Sequence, residues 1–251
     1  MPPEREATMR LLPLGDTAWT VEFGDRVDPA LHGRVLGLLD ALEKARADEG
    51  IAGVVDLVPT FRSLTVCYDP STCDGARLGE TLLALAEKAG AARREGRHWH
   101  IPVCFDDDLA PDLADLAQAK GLTREAVIDL LTRTTFQVYM IGFMPGFPYM
   151  GGLPAELEMP RLSTPRQAVP ARSLAVAGAM CAIYPWESPG GWRLLGRTPV
   201  PLFSAENEAS PSLLASGDEV RWRAIARSEF TELEAAAARG GLSRDSLLVK
   251  G

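Results

Sequence analysis

From Gly142 to Pro201 a glycine or a proline recurs at least every eight residues, with short apolar runs between them. No long helix survives that spacing. Proline removes a backbone donor and clashes with the preceding turn, and glycine weakens a helix interior. Short apolar runs between tight turns predict many short strands, and therefore a β-barrel or a sandwich.

The first third has a different texture. Met9–Leu14 and Thr17–Phe23 read as strands split by a Gly15-Asp16 turn. Asp28-Pro29 opens a helix, because an aspartate can cap it and proline fits the first helical position. Leu31, Val35, Leu38, Leu39 and Leu42 then fall on one face. Ile51–Val58 and the alternating Ser63–Tyr68 are strand-like, and Gly75–Ala89 is an amphipathic helix. Two strands, a helix, two strands and a helix predict an antiparallel sheet with helices on one face. Ala91–Arg97, small and charged, reads as a linker between a first domain over 1–92 and a second over 97–251. The second opens with a strand at His98–Phe105 and the acidic turn Asp106–Asp108. Helices near Pro111–Lys120 and Thr123–Leu131 follow, then a strand at Phe136–Ile141. A late strand, Glu219–Ile225, and a terminal helix, Ser228–Arg239, end it. The expected class is α+β, a small N-terminal α/β sandwich followed by a β-barrel.

Composition narrows the function. The 251 residues are 46% hydrophobic, enough for one large core or two ordinary ones. A net charge of -8 argues against a general nucleic-acid binder, which needs basic surface to replace counterions. Cys67, Cys73, Cys104 and Cys181 form no C-x-x-C pair and read as free thiols. The N-terminus lacks the basic start and apolar core of a signal peptide, and no apolar run spans a bilayer, so a cytoplasmic location and no membrane partner are expected.

Three stretches could carry chemistry. Gly142–Gly152, GFMPGFPYMGG, packs four glycines, two prolines and three aromatics into eleven positions. Gly142, Phe143, Pro145, Gly146, Phe147 and Tyr149 suit a pre-shaped pocket rim with backbone N–H groups facing a carbonyl or an anion. A packed structural loop with buried Phe143 and Phe147 is the plainer alternative. In PRLSTPRQAVP, Arg161 and Arg166 flank a turn at Pro165; each offers a planar donor fork for carboxylate or phosphate, or ties down local carbonyls. In YPWESPGGWRLLGR, Glu187 is a candidate acid/base and Ser188 a donor. Tyr184, Gly190, Gly191 and Trp192 frame them, and Arg197 ends a strand. The G-x-x-x-x-G-K-[ST] loop, G-x-G-x-x-G and G-x-S-x-G are absent. His98 and His100 share a strand face and could grip a metal with Cys104, but that spacing is not diagnostic and no metal is expected.

GFMPGFPYMGGLP, PRLSTPR and IYPWESPGGWRLLGRTP, in that order, resemble the family of 5-oxoprolinase B subunits. It is also called the Kip-type inhibitor or allophanate hydrolase subunit 1 family and is related to the carboxyltransferase region of urea carboxylase. LGDTAWTVEFGD, VPTFRSLTVCYDP and IPVCF with a following PDL extend the likeness from about residue 11 to 226. Met180 and Cys181 stand where such relatives carry an amide and a hydroxyl, and Cys104-Phe105-Asp106-Asp107 replaces Cys-Tyr-Gly-Gly.

The resemblance implies a cyclophilin-like barrel for the second domain. It also implies partner C and A subunits, and ATP (with Mg) in the assembled complex that opens 5-oxo-L-proline, a small amide, to L-glutamate. It makes Glu187, Arg166 and Arg197 the catalytic candidates and the residues of the three loops the substrate-binding ones. Two other roles follow from the same likeness: inhibition of a sensor histidine kinase, and a urea-type carboxyltransferase component.

Overall fold

The computed structural model describes residues 9–48, 50–90 and 96–249. It divides into two units, Met1–Glu95 and Gly96–Gly251. Most of the expected linker, residues 91–95, lies outside the described residues.

In the first unit, β1 (Arg10–Pro13), β2 (Ala18–Glu22), α1 (Pro29–Ala47), β3 (Val54–Pro59), β4 (Ser63–Tyr68) and α2 (Gly75–Lys88) follow one another. The sheet runs β1-β2-β4-β3, with every pairing antiparallel. Asp28 caps α1 by accepting the N–H groups of Ala30 and Leu31, at 2.8 and 3.3 Å. Asp74 does the same for α2 at Ala76 and Arg77. Val21, Leu64 and Val66 of the sheet pack against Val35, Leu38, Leu42, Leu78 and Leu82 of the two helices. The third strand starts at Val54 rather than Ile51, because Gly53 turns the chain with φ of 77° against Cys73.

The second unit contains β5 (His98–Val103), α3 (Leu113–Lys120), α4 (Arg124–Arg133), β6 (Phe136–Ile141) and β7 (Pro148–Gly151). These precede β8 (Arg166–Val169), β9 (Ser173–Ala177), β10 (Met180–Ile183), β11 (Ser188–Gly190), β12 (Arg193–Arg197), β13 (Glu219–Ala224) and α5 (Arg227–Ala238). Seven strands form one sheet in the order β12-β9-β10-β7-β6-β13-β5, and only the β13–β5 pair is parallel. The two edge strands meet at one point. Cys104 N–H donates to the Arg197 carbonyl at 2.9 Å, and Arg197 N–H returns the bond at 3.0 Å. The sheet is thereby a nearly closed barrel, and β8 and β11 form a separate ribbon.

Alternation along the strands sorts the side chains. Leu174, Val176, Cys181, Ile183 and Leu195 join Trp99, Ile101, Phe136, Val220 and Trp222 in the large core, which also takes one face of α3 and α4. Ala175, Ala177 and Ala182 face the other way, toward the aromatic loops. Among the described residues no helix is long and apolar enough to cross a membrane.

One end of the barrel hangs on Asp218, which is 3% exposed. Its carboxylate accepts Arg97 N–H at 2.9 Å, Trp99 Nε1–H at 2.8 Å and Ala215 N–H at 2.9 Å. Asp218→Ala leaves these donors buried without an acceptor, and such orphaning costs about 1–3 kcal/mol for a group of this kind. The urea midpoint of Asp218→Ala is expected to fall by an amount equivalent to about 3 kcal/mol, with Asp218→Asn intermediate between the variant and the native chain.

Candidate functional site

The outer face of β9, β10 and β12 carries three alanines, and that small-residue floor leaves room for rings. Phe147, 2% exposed, sits at the centre. Its ring lies 4.9 Å from Tyr149, 5.1 Å from Tyr184 and 6.1 Å from Trp192, the last two edge-on. Arg161 stands over Trp192 with its guanidinium carbon 5.8 Å from the ring. Burial raises the Tyr184 phenol pKa, partly opposed by the Trp192 backbone N–H.

The loop that delivers Phe147 is built as its composition implies. Gly142 N–H donates to the Phe147 carbonyl at 3.1 Å. Gly146 has φ of 77°, and a Cβ there would meet Phe203 Cβ at 2.8 Å. Phe143 takes the left-handed region with φ of 69° and is 69% exposed, so only Phe147 of the two phenylalanines is a packing residue. Pro145 is exposed beside it. At Gly190 a Cβ would lie 2.3 Å from the Tyr184 Oη, and Gly191 backs onto Pro165 with its carbonyl bound by Leu162 N–H at 2.7 Å. Ser188 Oγ is buried among these elements with no hydrogen-bond partner among the described residues.

A cavity of about 250 Å³ opens beside this cluster, lined by Asp108, Pro111, Arg166, Pro170, Leu194 and Arg197 among others. It brings two of the three catalytic candidates together. Arg166 donates Nη2–H to Asp112 Oδ1 at 2.7 Å, and Asp112 Oδ2 accepts the Leu194 N–H at 2.7 Å. Asp112 is 4% exposed. It occupies the N-cap position of α3, yet its side chain makes no cap hydrogen bond. Arg166 Nη1 is buried and has no partner among the described residues. Arg197 commits Nε to the Ala171 carbonyl at 2.8 Å; burial, and then the nearby Arg172, lower its pKa. Arg172 is itself held by Glu234 at 2.6 Å.

Glu187 is exposed on the turn before β11 and does not line the cavity. Asp112, which holds Arg166 from behind, is the functional candidate that sequence reasoning missed, and Asp108, read as part of an acidic turn, lines the cavity. The signal for Asp112 was the PDL segment, where an aspartate before a helix reads as a cap. His98 lies 3.1 Å from Glu219, and Cys104 is buried among Leu109, Ile225 and Phe230. Among the described residues no group of three or more such side chains is placed to hold a metal ion.

A nearly closed barrel whose outer face carries an aromatic loop cluster and an arginine-lined cavity is the architecture of a carboxyltransferase-type domain. The model of the carboxyltransferase domain, subdomain C and D, matches residues 9–214. The 5-oxoprolinase B subunit of Bacillus subtilis (strain 168) is 35% identical over 231 residues, covering 86% of this chain and 93% of that protein. The protein of the same name from Haemophilus influenzae is 40% identical over 178 residues, covering 71% and 83%. The crystal structure of TTHA0988 superimposes with a TM-score of 0.72 at 36% identity over 83% of this chain, which spans 40% of that longer one. The chain belongs to the family of 5-oxoprolinase B subunits, built on carboxyltransferase subdomains C and D.

Met180 and Cys181, neighbours on β10, fall in different places. Cys181 is fully buried in the barrel core, and burial pushes its thiol pKa far up. Met180 packs at the edge of the aromatic cluster. Two outcomes follow. An aromatic disulfide reagent applied to the native protein is expected to leave Cys104 and Cys181 unmodified and to reach them only after denaturation, as peptide mapping would report. Gly190→Ala is expected to force the Tyr184 ring out of place and to lower stability by about 1–3 kcal/mol, the usual cost of overpacking, read from thermal unfolding.

Proposed function

We propose that this chain is the B subunit of an ATP-dependent 5-oxoprolinase, which opens 5-oxo-L-proline to L-glutamate together with A and C subunits. The observation that carries the reading is the 35% identity to a 5-oxoprolinase B subunit along 93% of that relative's length. The site agrees in kind. The five-membered lactam is an unstrained amide, so its C–N bond needs activation, and phosphoryl transfer to the lactam oxygen is a chemically sufficient way to supply it. Such chemistry calls for fixed donors and cations rather than a nucleophile of the protein's own. Backbone N–H groups of the glycine loops and the guanidinium groups of Arg161, Arg166 and Arg197 are of that type.

The cavity of about 250 Å³ falls below the roughly 300–1,000 Å³ of drug-sized ligand sites. It is of a size for a five-membered ring. The chain also lacks the G-x-x-x-x-G-K-[ST] phosphate loop. In this reading ATP acts in the assembled complex, and this chain contributes binding and orientation of the lactam.

Co-expression with candidate A and C subunits, followed by a glutamate assay, tests the reading. Glutamate is expected only when all three chains, 5-oxo-L-proline and ATP are present, and the isolated chain is expected to show no turnover. A stable complex inert toward 5-oxo-L-proline, or release of glutamate by this chain alone, would overturn it.

A further inference from the structure

The arginine-lined cavity holds an arrangement that packing does not require. Asp112 stands where an aspartate ordinarily caps a helix. Both its oxygens are instead committed elsewhere, to Arg166 Nη2 and to the Leu194 N–H. The consequence is a guanidinium held in one orientation with Nη1 buried and unsatisfied among the described residues. Buried donors without acceptors are rare in folded proteins, and a ligand oxygen is one way such a donor is completed. Arg197 lines the same space.

The charges around the cavity are otherwise matched. Asp108 is gripped by both Nη groups of Arg227, at 3.0 and 2.9 Å, Asp112 by Arg166, and Glu234 by Arg172. Arg197 makes no side-chain ion pair among the described residues, and the nearby Glu234 and Asp108 favour its charge from a distance. Two guanidinium groups, Arg166 and Arg197, and apolar walls from Pro111, Pro170 and Leu194 fit a small ring that bears a carboxylate.

We propose that this cavity binds the carboxylate of 5-oxo-L-proline through the guanidinium groups of Arg166 and Arg197, with Asp112 as the residue that positions Arg166. The assignment rests on the 5-oxoprolinase reading for the identity of the ligand, while the preference for a small carboxylate stands on the cavity alone. The carboxylate sits on the ring carbon bonded to the lactam nitrogen, so residues that hold it fix the orientation of the C–N bond that is opened.

Calorimetric titration of the full chain with 5-oxo-L-proline, with pyrrolidin-2-one (the same lactam without a carboxylate) and with inorganic phosphate tests the binding claim. The expected order is 5-oxo-L-proline tighter than pyrrolidin-2-one by tenfold or more, with phosphate weaker than both. Arg166→Lys keeps a charge for Asp112 but removes the fork, and is expected to weaken 5-oxo-L-proline tenfold while leaving pyrrolidin-2-one unchanged. Asp112→Asn keeps an acceptor for Leu194 and frees Arg166. In the assembled enzyme it is expected to raise KM for 5-oxo-L-proline at least fivefold with little change in kcat, a split that loss of packing alone would not produce. Circular dichroism confirms that each variant is folded.

Equal binding of the two lactams, no binding of 5-oxo-L-proline to the native chain, or unchanged affinity in Arg166→Lys overturns the proposal, as does phosphate displacing 5-oxo-L-proline as the tightest ligand. Turnover by the native complex with an unaffected KM in Asp112→Asn would sink the positioning role while leaving the 5-oxoprolinase reading intact. A complex without turnover whose isolated chain still prefers the carboxylated lactam would do the reverse.

Discussion

Two backbone hydrogen bonds between Cys104 and Arg197 decide what the seven-stranded sheet becomes. An open sheet of this length would expose the N–H and C=O rows of β5 and β12 as templates for another chain. Joining the strands at their ends pairs the groups of Cys104 and Arg197 and brings the two edges together there. It also sets where the chain goes next. The turn through Asp106 begins directly after Cys104, so closure delivers residues 108–112 to the outer side of β12. There Asp112 N–H donates to the Leu194 carbonyl at 3.0 Å and the Asp112 carboxylate accepts the Leu194 N–H. The cavity wall is thus a by-product of how the barrel shuts, and the same hydrogen-bonded residue, Arg197, serves closure through its backbone and the cavity through its side chain.

A second constraint is the size of the residues that alternate along β9 and β10. Large side chains point into the core and alanines point out. A valine or leucine at Ala175, Ala177 or Ala182 would fill the space that Phe147, Tyr184 and Trp192 occupy. The glycines at 190 and 191 do for the ribbon what the alanines do for the floor, letting the Tyr184 hydroxyl and Pro165 approach the backbone. Rigidity of the aromatic cluster is therefore distributed over small residues that touch no ligand.

Much of this was legible in the amino-acid order. The Asp28 cap, the alternation in Ser63–Tyr68 and the glycine-proline rhythm after Gly142 each report a local rule, and each element formed where its rule placed it. The deviations have local causes as well. A helix anticipated from Pro111 begins at Leu113, since the preceding residues form a tight turn on the Asp106 carbonyl. The candidate site was less legible, because its decisive contacts are distant in sequence. Asp112 meets Arg166 across 54 residues and Leu194 across 82. Nothing in the spacing of an aspartate before a helix distinguishes a cap from a strut. Glu187 shows the converse: an acid in a glycine-rich motif that the fold leaves on an exposed turn, outside the cavity.

The energetics of Asp112 bear on why such a strut would persist. Forgoing the N-cap interaction gives up about 1 kcal/mol of helix stability. A partly buried ion pair does not reliably restore it, because desolvation of the two charges offsets much of their attraction. Leaving Arg166 Nη1 unsatisfied adds a further penalty of about 1–3 kcal/mol. A chain selected only to hold α3 against β12 would do better with a capping aspartate and an apolar contact to Leu194. The arrangement costs the fold stability that a cap and an apolar contact would have kept. Local departures from the stabilising choice concentrate where a protein meets its ligand, and this one holds Arg166, a residue of the cavity wall.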